Sequence, residues 1–204
     1  MSGYTQINIL QISEMMGEAF LHSIVSDFSC PLNGDVEHFL KVKAEVFARQ
    51  GIAATHMVFA SYQDKPVLVG YYTLANKHFH IDFKKNGMGK TLRGRVSKFG
   101  QFDQDLKKYI ISAPLIGQIG KNFSNGYNEL ITGNELLKLA CEKVKEIQYN
   151  IGGKLVYLEC EDKAKLLDFY NDNGFYNFGT RLLEGDETTL MSGKYLIQML
   201  KYLR

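Results

Sequence analysis

Ala113-Pro114-Leu115-Ile116-Gly117-Gln118-Ile119-Gly120-Lys121 is an apolar run that reads as a buried strand. The polar loop Asn122-Phe123-Ser124-Asn125-Gly126-Tyr127-Asn128-Glu129 follows it. Thr132-Gly133-Asn134-Glu135 then opens a long helix with the Thr-x-x-Glu spacing of a capping box, and Gly152-Gly153 stops it. Leu136, Ala140, Val144, Ile147 and Ile151 form its apolar stripe. A second strand over residues 155–160 leads to a short helix. Asp162 is its expected cap, and it closes on Phe169-Tyr170-Asn171-Asp172-Asn173-Gly174-Phe175. Strand, loop, helix, strand, helix is a βαβα unit. It puts a helix N-terminus beside the end of a strand, where backbone N–H groups and the helix dipole attract anions. Two readings of that helix start stand together: an anion site, or donors already satisfied by Glu135.

Upstream, residues 7–12 alternate like an edge strand, and residues 17–28 carry Phe20, Leu21, Ile24, Val25 and Phe28 at helical spacing. Cys30-Pro31-Leu32-Asn33-Gly34 breaks the chain. Asp35 is the expected N-cap of a helix bearing Val36, Phe39, Leu40, Val42 and Val46. Residues 56–61 and 67–75 flank the turn Tyr62-Gln63-Asp64-Lys65-Pro66 as an antiparallel hairpin, the second strand apolar on both faces. Downstream, residues 175–182 and 195–202 read as strands around a turn at Glu184-Gly185-Asp186-Glu187. The expected fold class is mixed α/β: a central mixed sheet of six to seven strands with helices on both faces.

Residues 84–108 are the one strongly charged segment. Lys84, Lys85, Lys90, Arg93, Arg95, Lys98, Lys107 and Lys108 face only Asp103 and Asp105, a local +6 in a chain whose net charge is +2. The segment reads either as a solvated helical insertion, at about residues 82–110, or as an electropositive edge for a polyanion such as RNA or for cofactor phosphates.

At 204 residues, 45% hydrophobic and 23% charged, the chain reads as a single globular domain over residues 1–204. Three widely spaced cysteines, Cys30, Cys141 and Cys160, suit reduced thiols and a cytoplasmic home. The histidines lack metal-site spacing; His78 and His80 share a strand face without a third ligand, so no metal is expected. No apolar run reaches membrane-helix length, and no membrane partner is expected.

Phe169-Tyr170-x-x-x-Gly174-Phe175 resembles the Phe-Tyr-x-x-x-Gly-Phe signature of the GCN5-related N-acetyltransferases (GNAT superfamily), and the element order is similar too. The resemblance implies a GNAT-like fold and an enzyme using acetyl-CoA. Ile119, Gly120 and Lys121 would lie along the pantetheine arm. Leu130, Ile131, Thr132, Gly133 and Asn134 would hold the pyrophosphate, with Asp162 and Phe169 completing the cofactor set. Tyr170 would be the general acid that protonates the leaving thiolate. Glu159, Glu161 or a water chain would deprotonate an acceptor amine of unknown identity. The family's usual loop, Gln/Arg-x-x-Gly-x-Gly/Ala, appears here as Asn128-Glu129-Leu130-Ile131-Thr132-Gly133, and only the last glycine matches. A non-catalytic GNAT-like binding module is the alternative this departure leaves open. Phe28-Ser29-Cys30 ahead of Leu40, then Thr55 and Gly70-Tyr71-Tyr72-Thr73-Leu74-Ala75, are similar to acetyltransferase toxins that act on aminoacyl-tRNA. That version implies tRNA as a partner. A homodimer is compatible with either.

Overall fold

A computed structural model describes residues 3–183, 185 and 193–204. The expected turn at residues 184–187 therefore lies largely outside the described residues. The strands are β1 (Tyr4–Asn8), β2 (Ala54–Tyr62), β3 (Lys65–Ile81), β4 (Gly100–Asp103), β5 (Lys108–Lys121), β6 (Leu155–Cys160), β7 (Tyr176–Leu182) and β8 (Tyr195–Tyr202). The helices are α1 (Ile9–Met16), α2 (Glu18–Ser26), α3 (Gly34–His38), α4 (Ala44–Arg49), α5 (Lys90–Val96), α6 (Gly133–Ile151) and α7 (Ala164–Asp172). Sheet order is β1-β2-β3-β5-β6-β8-β7, with β4 pairing β5 off this path. The sheet is mixed: β5–β6 is parallel and β6–β8 antiparallel. This is the expected architecture, with β4 as the extra strand. Among the described residues no helix is long and apolar enough to cross a membrane.

Contacts divide the chain into two compact units: Met1–Ala75 with Gly117–Ala140, and Asn76–Ile116 with Cys141–Arg204. The first unit packs Ile9, Ile12, Leu21, Val25, Phe28, Val36, Phe39 and Leu40 around the fully buried Tyr71. Phe28 meets Tyr71 edge-on at 5.4 Å. The second unit has an aromatic core. Phe79 lies 4.8 Å from Tyr157 and 4.6 Å from Phe178, ring centre to ring centre, with Phe83, Val96, Ile111 and Leu155 in the same cluster.

Several sequence expectations are corrected. The first strand ends at Asn8, not Ile12. Asn8 accepts from Leu10 N at 2.9 Å while the Gln11 side chain accepts from Asn8 N at 3.3 Å, so a capping box turns the apolar alternation into a helix start. Asp35 is not the cap of α3; Asn33 is, accepting from Asp35 N and Val36 N. Between α3 and α4 the helix runs as a π segment, Phe39–Lys43, in which Ala44 N–H reaches back to Phe39 C=O. That widened turn brings Val36, Leu40 and Ala44 onto one buried face and leaves Val42 and Val46 exposed. β3 continues six residues past Ala75, because His78-Phe79-His80-Ile81 alternates exposed and buried like a half-covered strand. The turn before it is a two-residue one, Gln63-Asp64, both at positive φ (50° and 59°), and Pro66 belongs to the strand.

Residues 84–108 fold as α5, a 3-10 turn at Ser97–Phe99 and β4, which forms a hairpin with β5. Val96 from this segment is fully buried in the aromatic core. On α6, Leu136, Ala140 and Val144 are buried as expected, but Ile151 is 74% exposed. Gln148 takes the core face instead, donating from Nε2 to Leu155 C=O at 2.7 Å.

Candidate active site

The residues singled out in the sequence fall into two groups, one in each unit. In the first unit, Ile119, Gly120 and Lys121 are half-buried at the end of β5. A Cβ on Gly120 would stand 2.4 Å from Val36 Cγ1, so this position admits only glycine without a shift of the packed helix. Gly70 on β3 is as restricted, its would-be Cβ 2.8 Å from the Gly120 oxygen. Lys121 Nζ donates to Asn128 C=O at 2.9 Å and sits 5.8 Å over the Phe123 ring, which ties the strand end to the following loop. Asn122 is buried and anchors the same corner. Its Oδ1 accepts from Ser29 N and Ser124 N, each at 3.1 Å, and its Nδ2 donates to Leu68 C=O at 2.9 Å.

The α6 start carries the capping box read from the sequence. Glu135 N donates to Thr132 Oγ1 at 3.1 Å, while Thr132 N and Thr132 Oγ1 donate to Glu135 Oε2 at 2.8 and 2.7 Å. These bonds, chiefly the Thr132 backbone N–H, hold the Glu135 carboxyl below the usual carboxylate range. Tyr4 Oη donates to Leu130 C=O at 3.0 Å, and the nearby Glu135 charge adds to burial in raising the Tyr4 hydroxyl pKa. Ile131 is buried, Leu130 and Gly133 are half-buried, and Thr132 and Asn134 are exposed. A pyrophosphate would fit here only in part: Glu135 already takes the Thr132 amide and brings a negative charge. The Gly133 amide is not among the donors it uses.

In the second unit, Tyr170 is 6% exposed on α7, with ring centres 5.1 Å from Phe169 and 5.8 Å from Phe175. Among the described residues its hydroxyl has no hydrogen-bond partner. Burial, then the neighbouring Cys160, raises its pKa well above that of an ordinary phenol, so it stays protonated. Phe169 is half-buried. Asp162 does not cap α7, whose N-cap is Lys163 without a side-chain bond; instead its Oδ2 accepts from Tyr195 Oη at 2.8 Å. The apolar surroundings of Cys160 push its thiol up to about 12.

The parallel β5–β6 ladder consists of Leu115↔Tyr157 and Ile116↔Leu158. β6 then continues to Glu159 and Cys160, which pair with Gln198 and Ile197 of β8. Both carboxylate oxygens of Glu159 are engaged: Arg181 Nε donates to Oε2 at 2.7 Å and Gln198 Nε2 to Oε1 at 2.8 Å. Glu161 accepts from Lys163 Nζ at 2.6 Å. The Arg181–Glu159–Gln198 network was not legible in the sequence. Its members are distant in the chain and meet only through the pairing of β6, β7 and β8. Among the described residues no group of three or more His, Cys, Asp or Glu side chains could hold a metal ion.

The arrangement of strands and helices has counterparts of similar overall fold. This is a GNAT-type fold. Among solved structures, a Tyr-to-Phe mutant of KacT superposes with a TM-score of 0.60 at 17% identity, over 96% of this chain and 94% of that one. AtaT complexed with acetyl-methionyl-tRNAfMet gives 0.58 at 13% identity, over 95% and 93%. A Tyr-to-Phe mutant of the AtaT toxin, bound to the C-terminus of the antitoxin AtaR and acetyl-CoA, gives 0.58 at 14%, over 98% and 94%. No protein-family model matches the chain, and no curated protein matches it in sequence. The likeness is therefore one of fold, carried by backbone architecture.

Proposed function

We infer that this protein is an acetyl-CoA-dependent N-acetyltransferase that transfers the acetyl group directly to a primary amine. The observation that supports this most is the two-pair β5–β6 ladder. A parallel pair that stops at Ile116↔Leu158 leaves the backbone of residues 117–121 for another extended partner, and a pantetheine arm is one. The backbone of Ile119, Gly120 and Lys121 pairs with that arm. The amides at Leu130, Ile131, Thr132, Gly133 and Asn134 face the pyrophosphate, and Asp162 and Phe169 border the cofactor. Backbone N–H groups at the strand end polarise the thioester carbonyl. Tyr170, protonated and lacking a partner among the described residues, donates to the departing sulfur. Its hydroxyl hydrogen-bonds the sulfur as the C–S bond breaks, and the proton passes to the thiolate as charge develops there. With Glu159 held by Arg181 and Gln198 and Glu161 bonded to Lys163, the base proposed for the acceptor amine is a water chain.

A second reading is a toxin that acetylates aminoacyl-tRNA. It is favoured by the neighbours, of which one is complexed with acetyl-methionyl-tRNAfMet and another bound to an antitoxin segment and acetyl-CoA. Both versions share the cofactor and are tested together. Calorimetric titration with acetyl-CoA is expected to show saturable binding, and acetyl transfer is then assayed with polyamines, peptides and charged tRNA. Tyr170→Phe is expected to lower turnover ~100-fold or more with acetyl-CoA affinity unchanged. No heat of binding would leave a non-catalytic module, and undiminished turnover in the variant would remove Tyr170 from the reaction.

A further inference from the structure

Two adjoining cavities open in the second unit, of about 640 Å³ and about 460 Å³. They share His80, Lys108, Thr180 and Gln198 in their walls. The smaller is bordered by Leu115 and Tyr157, the first rung of the β5–β6 ladder, and by Glu159 and Arg181. The larger runs outward past Lys85, Asn86 and Asn171.

Their charge is one-sided. Lys77, Lys85, Lys108 and Arg181 line the two cavities against Asp82 and Glu159. Arg181 and Glu159 neutralise each other at 2.7 Å. Asp82 accepts from Lys84 N at 2.9 Å and keeps its charge, so with histidines neutral the four cations and two anions of the lining leave a net +2. The ammonium groups of the three lysines have no ion-pair or hydrogen-bond partner among the described residues. Unbalanced ammonium groups converging on a concave wall focus a positive potential there. The arginines of the basic segment behave differently. Arg93 donates to Phe83 C=O and lies 5.9 Å over the Phe83 ring, and Arg95 lies 5.5 Å over the Tyr202 ring. These two arginines hold the fold, whereas Lys77, Lys85 and Lys108 are exposed and line the cavities.

We propose that these joined cavities are a phosphate-binding site for the acyl acceptor, with Lys85 and Lys108 as its cationic contacts and Lys77 at its margin. The substrate class is then an amine carried on a phosphate-bearing molecule, and polycations such as polyamines and aminoglycosides are excluded by repulsion. The assignment rests on the acetyltransferase reading for the word acceptor, while the phosphate site stands without it. Two sources share this chemistry, a free nucleotide and an RNA strand.

The probes are adenosine monophosphate and a fluorescein-labelled RNA hairpin, titrated against the wild type, Lys85→Glu/Lys108→Glu and the control Lys145→Glu/Lys165→Glu. The cavity variant is expected to lose ~10-fold or more in affinity, with the salt slope of log K for the hairpin reduced by about 2, while the control changes less than ~3-fold. Binding of both probes marks a nucleotide phosphate as sufficient, and binding of the hairpin alone marks a strand. Equal losses in cavity and control variants, or no binding of either probe by the wild type, overturn the site. Acetyl-CoA affinity is measured on the same variants and is expected to be unchanged. Its absence in the wild type would defeat the acetyltransferase reading and leave the phosphate site standing.

Discussion

In the first unit the notable buried or structured polar groups answer one another. Asn122 makes three hydrogen bonds, Tyr71 Oη donates to Val36 C=O at 2.6 Å, Thr55 and Thr73 share one at 3.0 Å, and Glu135 closes the start of α6. In the second unit the Tyr170 hydroxyl, Asn86 Nδ2 and the ammonium groups of three cavity lysines have no partner among the described residues. Of these only Asn86 Nδ2 is buried and costs stability; the Tyr170 hydroxyl and the exposed lysine ammonium groups are open to solvent and available to a ligand. The contrast assigns scaffold work to the first set of groups and ligand work to the second. It can be broken by substitutions whose effects on stability should differ between the two.

The largest effect is expected at Asn122→Ala, which strands two amides and a carbonyl in a buried corner. A loss of about 2–4 kcal/mol in denaturant unfolding is expected, and a loss below about 1 kcal/mol would show that the corner relaxes. Gly120→Ala comes next, at about 1–3 kcal/mol, because its new methyl group meets the stiff Val36 side chain. The paired comparison Tyr71→Phe against Tyr170→Phe is the sharpest. Removing the bonded hydroxyl should cost about 1 kcal/mol, whereas removing the unbonded one should leave the melting temperature unchanged and act only on turnover. Equal costs would erase the distinction between the units.

Glu135→Gln is expected to have the smallest effect, and its size depends on pH. The Glu135 carboxyl is held below its ordinary value by the Thr132 bonds, so its stabilising contribution is present above the unfolded-state pKa of about 4.3 and is lost as pH falls through the folded-state value. Wild type and variant should therefore differ at neutral pH and converge in acid. A constant offset in melting temperature across the range would mean that the carboxylate charge plays no part.

Much of this was legible in local signals. The α6 capping box is written as Thr132-x-x-Glu135, and the central part of β3 as the apolar run over residues 67–74 suited to a strand covered on both faces. Other features hid because their cause is not local. The π segment needs the packing of Val36, Leu40 and Ala44 to declare itself, and Gln148 looks like a surface residue until Leu155 C=O is placed opposite it. Asp162 had the right type for a cap but is drawn away by Tyr195, 33 positions on. Of the site, Tyr170 and the α6 start could be named from the sequence. The cavity could not, because its lysines come from β3, the basic segment and the start of β5 and converge only in the folded sheet.

The widened turn at Phe39–Lys43 has a bearing on how this chain tolerates length changes. Closure from Ala44 back to Phe39 accommodates one residue beyond what an ordinary helical turn holds. Deleting a single exposed residue there, such as Val42, lets the rod tighten while Val36 and Ala44 keep their sides. The same deletion in α6 would rotate everything downstream. The helix between Asn33 and Gln50 thus carries a built-in spare position, a place where the gene can lose a codon without scrambling the faces on either side.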